Sequence, residues 1–227
     1  PDQQFLSQEQ VATTVLTLAD DDQAKILNGK IIPGDRVFYP VKPHIRGSVP
    51  KSEKNNFDGK RVCIVNTAGD DQRVSRITSM IKDEGGQVEL EDTSKWALET
   101  TEGMDLENYH KNIDLFIHIT GNVPDFSKLT ELSRGEWDKL VDQFINTPAL
   151  VTQSALNTFV PDGSDDPRKF KDAKGRIVII GPDLPAGKKI SGHERAKVEV
   201  FRGALRPFAT TVNQELSDVL KSNVRVF

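Results

Sequence analysis

The chain has 227 residues, enough for one full α/β domain with an extension. Its 30 Lys and Arg against 34 Asp and Glu leave a formal charge of -4 and a pI near 5.7, so neither nucleic acid nor an anionic membrane is an expected partner. The single cysteine, Cys63, excludes an internal disulfide and fits the reducing cytoplasm, and the four histidines (His44, His110, His118 and His193) lack the short paired spacing of a zinc site.

No apolar stretch reaches the length of a membrane-spanning helix, and Pro1-Asp2-Gln3 has nothing of a signal peptide. Because the chain begins without Met, it is expected to be a piece of a longer polypeptide. From Glu9 to Ala19 the apolar residues Val11, Ala12, Val15, Leu16, Leu18 and Ala19 follow helical spacing, with Ser7 placed to cap the helix. Asp20-Asp21-Asp22 and Asn28-Gly29 punctuate it, and Lys30 to Tyr39 reads as extended around Pro33-Gly34. Pro40, Pro43 and Pro50, among several basic residues, mark 41–56 as a linker or surface loop.

Strands and helices alternate from Phe57 onward. Arg61 to Asn66 is a short apolar strand, and Val74, Ile77 and Ile81 give the following segment, Gln72 to Glu84, a helical face that Gly85-Gly86 ends. Gln87 to Glu91 forms a second strand. Lys95 to Asn112, of mixed charge and little periodicity, receives no element. Ile113 to Thr120 is continuously apolar, as a central parallel strand covered on both faces requires. A helix is expected over Ser133 to Phe159, with Trp137, Leu140, Val141 and Phe144 on one face and Pro148 kinking or restarting it. Arg176 to Ile180 is another central strand, Ser191 to Leu220 a long helix disturbed at Pro207, and Val224 to Phe227 the start of a last strand. This order predicts an α/β, Rossmann-like parallel sheet with helices on both faces.

In a dinucleotide-binding unit, glycines in the first strand-to-helix turn let the backbone approach the pyrophosphate, which the helix N-terminus then binds. Here the turn keeps only Gly69 and continues with Asp70 and Asp71, which place carboxylates where phosphate oxygens would lie. The simpler reading of both acids is that they cap the helix.

These segments together resemble the short-chain dehydrogenase/reductase superfamily. Phe5 to Val37 is similar to that family's terminal helix and strand, an end segment that here precedes a new first strand. The arrangement resembles the tandem reductase domains of bifunctional malonyl-CoA reductases, in particular the second, degenerate domain of their C-terminal half, with support from Asn28 to Tyr39, the helix from Leu132, and Val200 to Ser217. The resemblance implies a tail of a preceding reductase domain over 1–40, a linker over 41–56, and a degenerate reductase domain over 57–227 that is truncated at its C-terminal end. It also implies NADPH as the parent enzyme's cofactor, with malonyl-CoA reduced through malonate semialdehyde to 3-hydroxypropionate.

Carried over position by position, the family's Tyr-x-x-x-Lys pair falls on His193 and Lys197, its serine on Pro182, its supporting asparagine near Phe144, and its Asn-Asn-Ala-Gly on His118 to Gly121, of which the glycine alone is kept. Asn146, two residues beyond Phe144, points elsewhere at helical spacing. No catalytic residue, bound cofactor or metal is therefore expected in this domain, whose expected partners are the preceding catalytic domain of the same polypeptide and a second copy in a homodimer. Phe201, Leu205 and Phe208 are candidates for that interface, or else core. Lys197 by default is a surface lysine. Two other readings are a divergent oxidoreductase in which His193 donates a proton beside Lys197, and an acyl-CoA-binding module using Lys42, His44, Arg46, Lys51 and Lys54.

Overall fold

Val62, Cys63, Ile64 and Val65 are all fully buried in the computed structural model, although successive strand side chains point to opposite faces. Such a strand needs cover on both sides, and β1 (Arg61–Asn66) has it. It pairs in parallel with β2 (Gln87–Glu91) on one side and β3 (Leu115–Ile119) on the other. With β4 (Lys174–Ile180) and β5 (Asn223–Val226) the sheet has five parallel strands in the order β2-β1-β3-β4-β5. The structure describes residues 12–13, 15–16, 57–67, 69–91, 112–123, 128–159, 171, 173–183 and 192–227. The chain divides into two units, Pro1–Lys51 and Ser52–Phe227, and the sheet belongs to the second.

Helices cover both faces. On one, Val62, Ile64, Ile117 and Ile119 pack against Val74 and Ile81 of α1 (Asp71–Asp83). On the other, Cys63, Val65, Phe116 and Ile177 pack against Val151 and Ala155 of α3 (Thr147–Thr158) and against Leu216. A third cluster joins α2 (Arg134–Val141) to α4 (Gly192–Gln214) through Leu140, Phe144, Val198 and Phe201. The expected α/β, Rossmann-like architecture is thus present. Burial and the nearby Glu91 and Glu89 push the Cys63 thiol far above its ordinary range, leaving it unreactive at neutral pH.

Several expected boundaries shift for physical reasons. β3 is shorter than Ile113 to Thr120, because Asp114 turns its carboxylate onto the Arg61 N–H at 3.0 Å and Gly121 redirects the chain at φ +82°. Pro148 does disturb its helix. The turn before it, Asp142–Asn146, widens to π geometry, in which the Thr147 N–H reaches the Asp142 carbonyl and room is made for the proline ring. Pro207, in contrast, does not interrupt α4, whose core contacts on either side, Val198 and Phe201 before it and Ala209 and Val212 after it, hold the helix together. The irregularity comes later, in a π turn at Glu215–Val219. Phe201 is fully buried within its own chain and so is core, not interface. The helix expected at Glu9 to Ala19 is seen at residues 12, 13, 15 and 16, while the strand at Lys30 to Tyr39, the linker and Lys95 to Lys111 lie outside the described residues.

The outer edge of β5 is closed by one side chain. Asn213 of α4 donates through Nδ2 to the Val226 carbonyl at 2.6 Å and accepts the Val226 N–H on Oδ1 at 2.9 Å. Its amide thereby takes both bonds that a neighbouring strand would offer. Asn213→Ala is expected to cost about 1–3 kcal/mol, the range for stranding buried polar groups. Hydrogen exchange at the Val226 amide should accelerate beyond the change at Val224, whose N–H is held separately by Ser222 Oγ at 3.1 Å.

Candidate functional site

In an open parallel sheet, ligands bind at the carboxyl ends of the strands where the strand order reverses. That point here lies between β1 and β3, because the chain runs from β1 outward to β2 and returns on the other side of β1. The exits of these two strands, with the exit of β4, bring together Thr67, Gly69, Asp70, His118, Thr120, Gly121 and Pro182.

Thr67 and His118 join the two central strands. The Thr67 N–H donates to the Ile119 carbonyl at 3.1 Å, and its hydroxyl donates to the same carbonyl at 3.3 Å while lying 2.9 Å from His118 Nε2. The Thr67 hydroxyl thus bonds the ring through Nε2. Nδ1 is buried, with no hydrogen-bond partner among the described residues. The imidazole is fully buried, and loss of water alone pulls its pKa down to about 3. It is neutral at physiological pH.

The turn after β1 shows how the acids are used. Gly69 takes φ +65°, a conformation that favours glycine, with open space around it. Asp70 donates its N–H to Asn66 Oδ1 at 3.3 Å, accepts the Arg73 N–H on Oδ1 at 3.0 Å, and forms an ion pair with the Arg73 side chain at 3.3 Å. Asp71 lies in the first turn of α1. The capping expectation holds for Asp70 and not for Asp71, which is the first residue of the helix, and the helix N-terminus already has an anion from its own chain.

The other expected positions scatter. Pro182 is buried. Beside it the Asp183 N–H donates to Asn122 Oδ1 at 3.2 Å, and its carboxylate pairs with Arg202 of α4 at 3.1 Å. Arg202 also pairs with Glu199 at 2.8 Å and, with Arg195, holds that carboxyl below its usual range. Phe144 is fully buried, its ring 5.2 Å from that of Phe201, so hydrocarbon fills the asparagine position. Asn146 is exposed and bonds Asp142 at 2.6 Å. Gln143, which sequence reasoning missed, ties the π turn to the end of β3 by donating to the Thr120 carbonyl at 2.9 Å. His193 lies in the first turn of α4. Lys197, expected at the surface, is instead 1% exposed. Its place four residues before Phe201 turns it toward the same buried face. The linker residues Lys42, His44, Arg46, Lys51 and Lys54 lie outside the described residues, among which no cluster of metal-ligating side chains and no helix long and apolar enough to cross a membrane occurs.

No family model and no curated protein matches the chain. Solved structures do. A short-chain dehydrogenase from Leptospira borgpetersenii serovar Hardjo-bovis (strain JB197), with bound NAD+, superposes with a TM-score of 0.52 at 16% identity, over 82% of this chain and 75% of that one. The C-domain of a bacterial malonyl-CoA reductase, with NADP, superposes with a TM-score of 0.53 at 18% identity, over 79% of this chain and 29% of that one. The likeness is one of fold, the Rossmann-like parallel sheet of these dehydrogenases and reductases.

The buried imidazole makes a checkable statement about pH. An unfolded chain protonates His118 below about pH 6.5, whereas the folded chain resists until about pH 3, so acid favours unfolding between those values. Within that window the His118 contribution should fall by about 1.4 kcal/mol per pH unit. Denaturant melts at pH 6.5, 5.5 and 4.5 should give the His118→Gln variant a shallower pH slope than wild type, whatever its baseline stability. Equal slopes would mean that the ring is not buried in its neutral form.

Proposed function

We propose that residues 57–227 form a reductase-like domain without redox chemistry of its own, part of an NADPH-dependent enzyme of the short-chain dehydrogenase/reductase type. The parent we infer is a malonyl-CoA reductase, in which a preceding domain of the same polypeptide carries out the reductions to malonate semialdehyde and onward to 3-hydroxypropionate. The observation that carries this reading is the Asp70 carboxylate on the Arg73 N–H at 3.0 Å. A pyrophosphate brought to this helix would meet an anion already seated there, with Asp71 beside it, so these residues do not fit a dinucleotide. Buried Pro182 and core Phe144 support the same conclusion, since neither supplies the hydroxyl or amide that carbonyl reduction would use. The role left to the domain is to support its neighbour and to dimerise. Leu205 and Phe208, each half-buried, are the remaining candidates for that dimer face.

Calorimetric titration of the chain with NADPH tests the proposal. No saturable heat is expected up to about 1 mM ligand, a bound weaker than roughly -4 kcal/mol. Saturation in the micromolar range would overturn it. One observation favours a second reading, in which His193 and Lys197 act as a proton-donating pair. Lys197 is 1% exposed and stands one helical turn after His193 on α4. Unchanged turnover of the full-length enzyme after His193→Ala would remove that reading.

A further inference from the structure

A cavity of about 350 Å³ opens at the opposite end of the sheet, where β1, β3 and β4 begin. Its walls include Phe57, Lys60, Asp114, Leu115, Lys174 and Arg176. The volume lies at the small end of the range of small-molecule sites, roughly 300–1,000 Å³.

The charges in this cavity do not cancel. Asp114 is its one carboxylate among the described residues, and that group is already committed to the Arg61 N–H at 3.0 Å and to Lys60 Nζ at 3.1 Å. Those bonds to Arg61 and Lys60 hold its carboxyl below the ordinary range against the opposing effect of partial burial. The Arg61 guanidinium faces elsewhere, paired with Glu89 on β2. Lys174 and Arg176 remain, and neither pairs with a carboxylate among the described residues. They stand two positions apart on β4, so both side chains leave the same face of the strand. Arg176 is also held in place, since its Nη1 donates to the Gly175 carbonyl at 2.8 Å and the Asn223 carbonyl at 3.1 Å. A guanidinium fixed in this way loses little freedom when it binds an anion. Phe57 and Leu115 supply an apolar wall alongside.

We propose that this cavity is a binding site for a small phosphate monoester carrying a flat apolar group, with the phosphate between Lys174 and Arg176 and the apolar group on Phe57. Two cations without a carboxylate partner among the described residues suit a phosphate monoester, which carries a charge of about -1.5 to -2 at pH 7. The guanidinium plane adds directional bonds to its oxygens. Because the site lies at the starts of the strands, it is separate from the β1/β3 crevice and stands or falls independently of the function proposed above.

Phenyl phosphate is the probe, titrated into the whole chain at low salt and followed by amide NMR, with phenol and inorganic phosphate as controls. Saturable shifts at Leu115, Lys174, Gly175 and Arg176 are expected, with Gly69 and Gly121 unmoved. Phenyl phosphate should bind more tightly than either control, since each control lacks one half of the recognition. Lys174 is exposed, so Lys174→Glu should melt near the wild-type temperature while weakening phenyl phosphate roughly tenfold or more. Arg176→Lys, which keeps the charge and loses the fork, should weaken it less. Affinity unchanged by Lys174→Glu, phenol binding as tightly as phenyl phosphate, or shifts that never saturate would each overturn the proposal.

Discussion

The pairing of β1 with β3 governs the rest of the molecule. Val62 to Asn66 run beside Leu115 to Ile119 in parallel register, and each strand has a further partner on its other side. Both faces of this double strand are apolar, so α1 must lie on one and α3 with the end of α4 on the other. The hydrophobic gain is large because side chains from both faces leave water at once. Once these helices are placed, the turns at the carboxyl ends of the strands have little freedom. The chemistry of those turns is therefore decided by which residues occupy them, not by where they lie.

At the end of that pairing the polar groups turn inward. Thr67 bonds the Ile119 carbonyl through its N–H and hydroxyl and also bonds His118 Nε2, so the strand exits are bonded to each other. Asp70 does the same for the helix, meeting the Arg73 N–H that the fold otherwise leaves for a ligand. Asp183 is anchored from both sides by Asn122 and Arg202. Each contact satisfies a donor or acceptor within the chain at the carboxyl ends of the strands.

Much of the fold was legible because it rests on periodicity. The bounds of β1 follow from a short apolar run, those of β2 from Val88 and Leu90 after the Gly85-Gly86 stop, and α1 from the spacing of Val74, Ile77 and Ile81. The candidate site was less legible, since its properties depend on tertiary contacts. His118 stands in an asparagine's place, and its burial follows from the cover on both faces of β3, where it shares one face with Phe116 while Ile117 and Ile119 take the other. Lys197 misled for another reason. Charge suggests solvent, whereas its spacing from Phe201 points inward, and in α4 the spacing prevailed. The π turn at Asp142–Asn146 could not be read beyond the hint of Pro148, because a shifted hydrogen-bond register leaves no compositional mark.

Fold and site overlap at very few residues, which explains how one can persist while the other changes. Val62, Ile64, Phe116, Ile177 and Val226 hold the sheet without touching the crevice chemistry, and Asp70, Asp71 and Asp183 shape the crevice at the surface of the core. His118 is an exception, since its ring packs in the sheet interior while its Nε2 bonds the exit of β1. A substitution at Asp70 changes a cap worth about 1 kcal/mol. One at His118 alters buried volume and a strand-to-strand bond together. Changes at the rim can therefore accumulate at small cost, while His118 is held in place by the packing of the sheet, whatever becomes of the reaction that similar folds support.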